Sequence, residues 1–110
     1  YQNKTHMTIQ FNADNNLTIR EGFREKLQSM LTEELKRFDG FITRLEVHLS
    51  DENSHKSGQE DKKCLLEARP KNKQPLAVTA YAANYEMAAK DAAEKLKKAL
   101  GSLVEKMQEH

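Results

Sequence analysis

The sequence has little cysteine and no long apolar run, and these two features restrict its location. Cys64 is the only cysteine among 110 residues, so neither an intrachain disulfide nor a cysteine-based metal cluster can form. No apolar run approaches the length needed to cross a membrane, and no secretory signal segment is recognisable. We therefore expect a cytoplasmic protein without a membrane partner.

The sequence also has almost no excess of charge of either sign. Lys and Arg total 18 against 17 Asp and Glu, which gives a net charge of +1. This near-equal number of cations and anions argues against a basic arm that binds nucleic acid without selectivity. If the protein contacts RNA, its cations must be segregated onto one surface.

Catalytic and metal-binding patterns are missing as well. There is no glycine-rich phosphate loop, and the histidines lack the spacing of metal ligands; they are His6, His48, His55 and His110. Cys64 alternates into an apolar strand, which predicts a small buried residue. Glu46 and Glu67 could face each other across two strands. Arg44 and Arg69 are their predicted partners there. We predict no enzyme activity, no metal, no cofactor and no small-molecule substrate.

Alternation and helical spacing together cover most of the chain. Apolar and polar side chains alternate in four segments, as in strands with one buried face: 7–11, 45–49, 64–68 and 76–82. Apolar residues recur at three- and four-residue steps over 19–38 and 85–107, which predicts two amphipathic helices. Thr18 and Asn84 are the predicted N-caps of these helices.

The predicted element order is therefore β-α-β-β-β-α, which is an α+β fold. A right-handed crossover makes the first two strands parallel, and short turns make the remaining pairs antiparallel. Two helices on one face of a four-stranded mixed sheet would bury every apolar face in two layers. We expect residues 7–110 to form this single domain, and residues 1–6 to be an expression remnant or a disordered segment.

Basic clusters provide candidate phosphate contacts. Residues 62–73 hold five cations against one carboxylate, a local charge of +4, which fits either a phosphate-binding rim or a solvated hairpin. The cations of the two helices alternate with carboxylates. For an isolated helix, ion pairing along the helix explains these cations more simply than RNA binding does. The candidate RNA-binding residues are Arg24, Lys36, Arg37, Arg69, Lys71, Lys73, Lys90, Lys95, Lys97 and Lys98.

Four segments, in order along the chain, resemble one protein family. They are 42–50 (ITRLEVHLS), 63–70 (KCLLEARP), 75–78 (PLAV) and 86–96 (EMAAKDAAEKL). They are similar to the ribosome hibernation promoting factor and ribosome-associated inhibitor family, also known as sigma-54 modulation proteins. Without its first strand, the predicted order also matches the double-stranded RNA-binding domain.

The resemblance covers residues 7–100 and implies a function. Members of the family occupy the tRNA and mRNA channel of the small ribosomal subunit and block translation in stressed or resting cells. Basic residues on their helical side contact the rRNA of that subunit. Lys95, Lys97 and Lys98 match the family's basic cluster in the last helix.

Two features depart from the family pattern and leave two functions open. Short family members usually continue into basic residues at the position after Leu100, whereas residues 101–106 read GSLVEK here, and the segment 51–61 is acidic. One function is a monomeric module that binds rRNA through phosphates and shape. The other is a stress-related adaptor that binds protein. Salt should weaken rRNA binding steeply, but not an apolar protein interface.

Overall fold

The computed structural model describes residues 7–13, 20–51 and 62–108, and these ranges contain four strands and two α-helices. The elements are β1 (Thr8–Ala13), α1 (Glu21–Glu34), β2 (Ile42–Asp51), β3 (Lys62–Pro70), β4 (Leu76–Ala82) and α2 (Tyr85–Met107). A 3₁₀ turn at Lys36–Phe38 follows α1. The predicted β-α-β-β-β-α order is confirmed.

The strands lie in the sheet in sequence order, β1-β2-β3-β4. β1 runs parallel to β2, whereas the other two neighbouring pairs are antiparallel, as the crossover and the short turns predict. In the β3–β4 turn, Asn72 has a φ of 58°, a left-handed conformation that asparagine adopts more readily than most residues. β1 and β4 are the two edges of this sheet.

One face of the sheet is buried under the helices. Leu45, Val47 and Leu49 alternate into the core from β2, and their neighbours along the strand point to the uncovered face. α2 packs on both β3 and β4. Four alanines on its inner side are fully buried and allow a close approach to the sheet; they are Ala88, Ala89, Ala92 and Ala93.

The helix ends agree only partly with the sequence-based prediction. Asn84 caps α2, because its Oδ1 accepts a hydrogen bond from the Met87 backbone N–H at 2.8 Å. The predicted cap Thr18 lies outside the described residues, and the N-cap of α1 is Arg20, whose side chain makes no cap hydrogen bond. The apolar spacing predicted one helix to Phe38, whereas α1 ends at Glu34 and the chain tightens into the 3₁₀ turn.

The two helices lie side by side and run in the same direction. Lys26 Nζ of α1 is 3.2 Å from Glu86 Oε1 near the start of α2. Glu34 Oε1, at the end of α1, is 2.9 Å from Lys97 Nζ further along α2. Because both helices run back along the sheet from the strands that precede them, their C-terminal ends meet at the end of the molecule that also holds the β3–β4 turn.

Candidate nucleic-acid interface

Cations from separate elements meet where the two helices end. Arg37 of the 3₁₀ turn lines a shallow groove together with Lys97 and Lys98 of α2. Glu94 and Glu105 line the same groove, so it is mixed in charge. The parallel course of the helices places the 3₁₀ turn beside α2, and this arrangement joins cations that are about sixty residues apart in sequence.

The β3–β4 turn contributes a second groove at this end. Lys73 of the turn and Lys106 of α2 line it together with Leu103 and Met107. The backbone N–H of Lys71 donates to the carbonyl of Phe41 at 3.0 Å, which fixes the turn beside the segment after the 3₁₀ turn. We refer to the cations gathered here as the basic end; they are Arg37, Lys71, Lys73, Lys97, Lys98 and Lys106.

A third groove at the basic end is largely apolar. Its lining residues are Arg37, Phe38, Phe41, Val104, Met107 and Gln108. Met107 is 39% exposed, so an apolar surface borders the cations. Phosphates and an apolar group of one ligand can therefore be contacted at neighbouring positions.

Lys97 lines the groove and also forms an ion pair with Glu34 of α1. Its ammonium lies 2.9 Å from Glu34 Oε1 and 3.6 Å from Glu94 Oε2. The hydrogen bond from Lys97 lowers the pKa of the Glu34 carboxyl, and the same bond raises the pKa of Lys97. Lys97 stays charged, but Glu34 and Glu94 offset its charge, so it adds less net positive charge to the basic end than its neighbour Lys98.

Four other predicted residues of the helical layer lie in local contacts. Lys95 Nζ donates to the carbonyl of Thr79 at 2.8 Å, and Lys36 pairs with Glu33 at 3.3 Å. The Arg24 guanidinium lies over the Phe11 ring, 5.7 Å from its centroid. Lys90 is exposed, and its charge helps to lower the pKa of Glu34. Because three of these cations are held in local contacts and none of the four lines the grooves described above, we do not count them in the basic end.

Arg69 lies on the opposite side of the molecule from the helices. It is on the uncovered face of the sheet, with Nε 3.6 Å from Glu46 Oε2 and a terminal nitrogen 3.5 Å from Glu67 Oε2. Lys71 and Lys73 continue past the strand into the turn. The basic stretch 62–73 therefore does not form one rim, because strand alternation and the turn distribute its cations over two surfaces.

A charge network occupies the middle of the uncovered sheet face. Glu46 and Glu67 are direct cross-strand partners, and Arg44 lies 2.9 Å from Glu46. With His48, the two glutamates place three possible metal-ligand atoms within 4.8 Å of one another, a grouping that the sequence spacing did not suggest. Because Arg44 and Arg69 already neutralise these carboxylates, we interpret the cluster as an ion-pair network.

Cys64 is confirmed as a core residue. Its side chain is fully buried between the sheet and the helices, and burial raises the pKa of the thiol to about 12. The thiolate is the reactive form of cysteine. A thiol held protonated in the core is therefore not a nucleophile at neutral pH.

Sequence reasoning assigned no role to Lys106. The reading of residues 101–106 stressed what they lack, namely a run of basic residues. Two features together could have identified this lysine: its exposed position in the last turns of α2, and the course of α2 back along β4, which brings the end of the helix to the β3–β4 turn.

Within the described ranges, no helix combines the length and the apolar character needed to cross a membrane.

The sequence profile of a family described as "Sigma 54 modulation protein / S30EA ribosomal protein" matches residues 9–108. No curated protein matches the chain at the level of sequence.

Two solved structures share the fold. The N-terminal domain of Protein Y from Thermus thermophilus is 18% identical, has a TM-score of 0.69, and aligns over 88% of this chain and 99% of its own. A ribosomal subunit interface protein from Coxiella burnetii is 14% identical, with a TM-score of 0.67 and coverage of 88% and 97%.

Proposed function

Because this chain belongs to the Sigma 54 modulation protein / S30EA ribosomal protein family, a family of non-enzymatic ribosome-associated regulators, we propose that it silences translation by binding the small ribosomal subunit. The folded domain would occupy the channel for tRNA and mRNA and exclude both. This activity places the protein in the cytoplasm with the ribosomes of stressed or resting cells.

The observation that supports this mechanism is the meeting of cations at the basic end. Arg37, Lys73 and Lys98 belong to three elements that the fold brings to one end of the molecule. Each cation that neutralises a phosphate releases counterions, which favours binding without base recognition. Recognition then depends on shape and phosphate position, as is usual for structured RNA.

The predicted contacts are not equivalent within this proposal. Arg37, Lys73, Lys98 and Lys106 are the strongest candidates, because they line grooves at one end and no ion pair neutralises them among the described residues. Lys71 lies beside them in the turn. Lys97 and Lys36 share their charge with glutamates, and Arg69 faces away from the helices. We expect these three to contribute less, together with Arg24, Lys90 and Lys95.

Neutralising the basic end tests this proposal. A variant with Arg37, Lys73, Lys98 and Lys106 all replaced by Gln should lose co-sedimentation with small subunits while keeping its far-ultraviolet circular dichroism. Lys106→Gln alone should weaken binding several-fold, because one phosphate contact is lost. Lys26→Gln is the matched control, since Lys26 is also an exposed helical lysine but lies near the other end of α1. Undiminished co-sedimentation of the fourfold variant would refute the assigned surface.

A second candidate function is an adaptor that binds protein on the same fold. It is favoured by the pairing of several cations with carboxylates and by the apolar groove at Phe38, Phe41 and Met107. Replacement of Phe41 by Ser would then reduce binding more than the fourfold charge variant does. Binding that is insensitive to salt would also favour the adaptor, because an apolar interface releases no counterions.

A further inference from the structure

We propose that the outer edge of β4 is a self-association surface, where two copies of this chain join into one eight-stranded sheet, and that Lys95 controls access to this edge. Among the described residues, β4 is the last strand of the sheet and pairs with β3 alone. An unpaired strand edge is a template for another strand. The inference concerns the edge alone and does not rest on ribosome binding.

The hydrogen bond from Lys95 identifies which backbone groups face outward. Lys95 Nζ lies 2.8 Å from the Thr79 carbonyl oxygen, so this carbonyl points away from β3. Because main-chain groups of successive strand residues point to opposite sides, the N–H and C=O groups of Ala77 and Tyr81 share that direction. The seven residues of β4, LAVTAYA, include no charge, glycine or proline. The strand itself therefore contains no residue that prevents pairing.

The strand is complementary to a second copy of itself. An antiparallel pair of β4 strands about a two-fold axis at Thr79 would place Thr79 opposite Thr79 of the second copy, and Ala77 opposite Tyr81. Such a pairing would make about six main-chain hydrogen bonds. Threonine pairs favour cross-strand contact, and the small side chain of Ala77 leaves room for the ring of Tyr81, which is 47% exposed in the single chain.

The helix layer fits the same two-fold arrangement. α2 lies over both β3 and β4, so its copy would lie two strand spacings away, or roughly 10 Å. That distance is within the usual range for packed helices. Asp91 and Lys95 are four residues apart on the flank of α2 above β4. Antiparallel copies of α2 would bring Asp91 near Lys95 of the second copy, where opposite charges attract.

Lys95 sets the balance between the single chain and the pair. Its ammonium occupies the central outward acceptor of β4, so a second strand must displace it. Lysine at a strand edge is a known means of preventing strand addition. The joined elements are one seven-residue strand and one flank of a helix, whereas stable complexes bury roughly 1,200–2,000 Å². We therefore expect a weak dimer for the natural sequence and a stronger one when Lys95 is absent.

Lys95→Met tests the control step, because methionine keeps a long apolar side chain and removes the ammonium. Sedimentation equilibrium should show that K95M dimerises at least about tenfold more tightly than the natural sequence. Lys90→Met is the matched control, since Lys90 is an exposed lysine of the same helix whose charge acts on Glu34 of α1. K90M should associate as the natural sequence does.

Thr79→Pro in the K95M background tests the edge itself. Proline is tolerated on an edge strand when its missing N–H would face outward, and here it removes the central donor of the pairing. The double variant should be monomeric. Amide exchange at Ala77 and Tyr81 should slow with protein concentration in K95M and stay unchanged in the double variant. K95M that remains monomeric at millimolar concentration, or a K95M dimer that survives Thr79→Pro, would overturn the proposal.

Discussion

At the scale of single residues, the environment of a cation decides what its charge can do. Lys97 and Lys98 are neighbours in sequence, yet Lys97 lies 2.9 Å from Glu34, whereas Lys98 faces the groove with Arg37. Sequence spacing predicted pairing within α2, and Lys97 does lie near Glu94. The stronger partner comes from α1, 63 positions away, and only the parallel packing of the helices brings it into reach.

The Glu34–Lys97 pair predicts a specific dependence of stability on pH. The pKa of Glu34 is lowered below its ordinary value of 4.5, so the folded state binds fewer protons than the unfolded state. Its contribution is fully present above pH 4.5 and is lost as the pH falls through the folded pKa. Lys97 has a raised pKa, so its contribution is lost only at strongly alkaline pH.

Glu34→Gln should therefore lower the Tm by a few degrees at pH 7, and this loss should shrink as the pH falls through the lowered pKa of Glu34, where the natural carboxyl becomes protonated too. Thermal unfolding followed by circular dichroism over this pH range measures the difference. Glu33→Gln is the control, because its 3.3 Å pair with Lys36 is more exposed. Equal losses in the two variants, or a loss that persists in acid, would rule out the pair as the cause.

At the scale of elements, the alternation and helical spacing of apolar residues predict most of the secondary structure. The four strands and α2 were predictable because each has one apolar face and a definite period. The end of α1 was not, since Leu35 and Phe38 keep the helical spacing and are both buried although the chain has left the α-helix. Burial constrains which side chains face the core, and a 3₁₀ turn meets that constraint as well as an α-helix does.

The N-cap of α2 contributes to the free energy of unfolding, and this contribution can be measured. Asn84 Oδ1 satisfies the Met87 N–H, which has no partner within the helix. Asn84→Ala should lower the free energy of unfolding by about 1 kcal/mol, as urea denaturation would show. Asn84→Asp should retain most of the stability, because a carboxylate also accepts this bond and interacts favourably with the helix dipole. A loss of similar size in both variants would contradict the capping role.

At the scale of the whole molecule, the fold was predictable but the grouping of its cations was not. Composition gives a net charge of +1, and the sequence shows where the cations lie along the chain. It does not show that strand register turns Arg69 toward Glu46 and Glu67, or that Lys106 reaches the turn that contains Lys73. These placements depend on the order of the strands and the direction of the helices, which act between distant parts of the chain.

The described surface has three chemically distinct regions. The uncovered sheet face holds a compensated network around Glu46, the outer edge of β4 is contacted by Lys95 at the Thr79 carbonyl, and the basic end gathers cations beside an apolar groove. A protein with almost no net charge can bind an anionic partner when its charges are separated in this way. The basic end is therefore the feature on which the proposed function depends.

The most direct test of this account is the salt dependence of binding to purified small subunits. The logarithm of the affinity should fall linearly with the logarithm of the salt concentration for the natural sequence. The slope should be shallower by about 3 in the variant that replaces Arg37, Lys73, Lys98 and Lys106 by Gln. Each lost phosphate contact reduces the magnitude of the slope by roughly 0.7–0.9. An affinity that does not change with salt, or equal slopes for both proteins, would contradict the account.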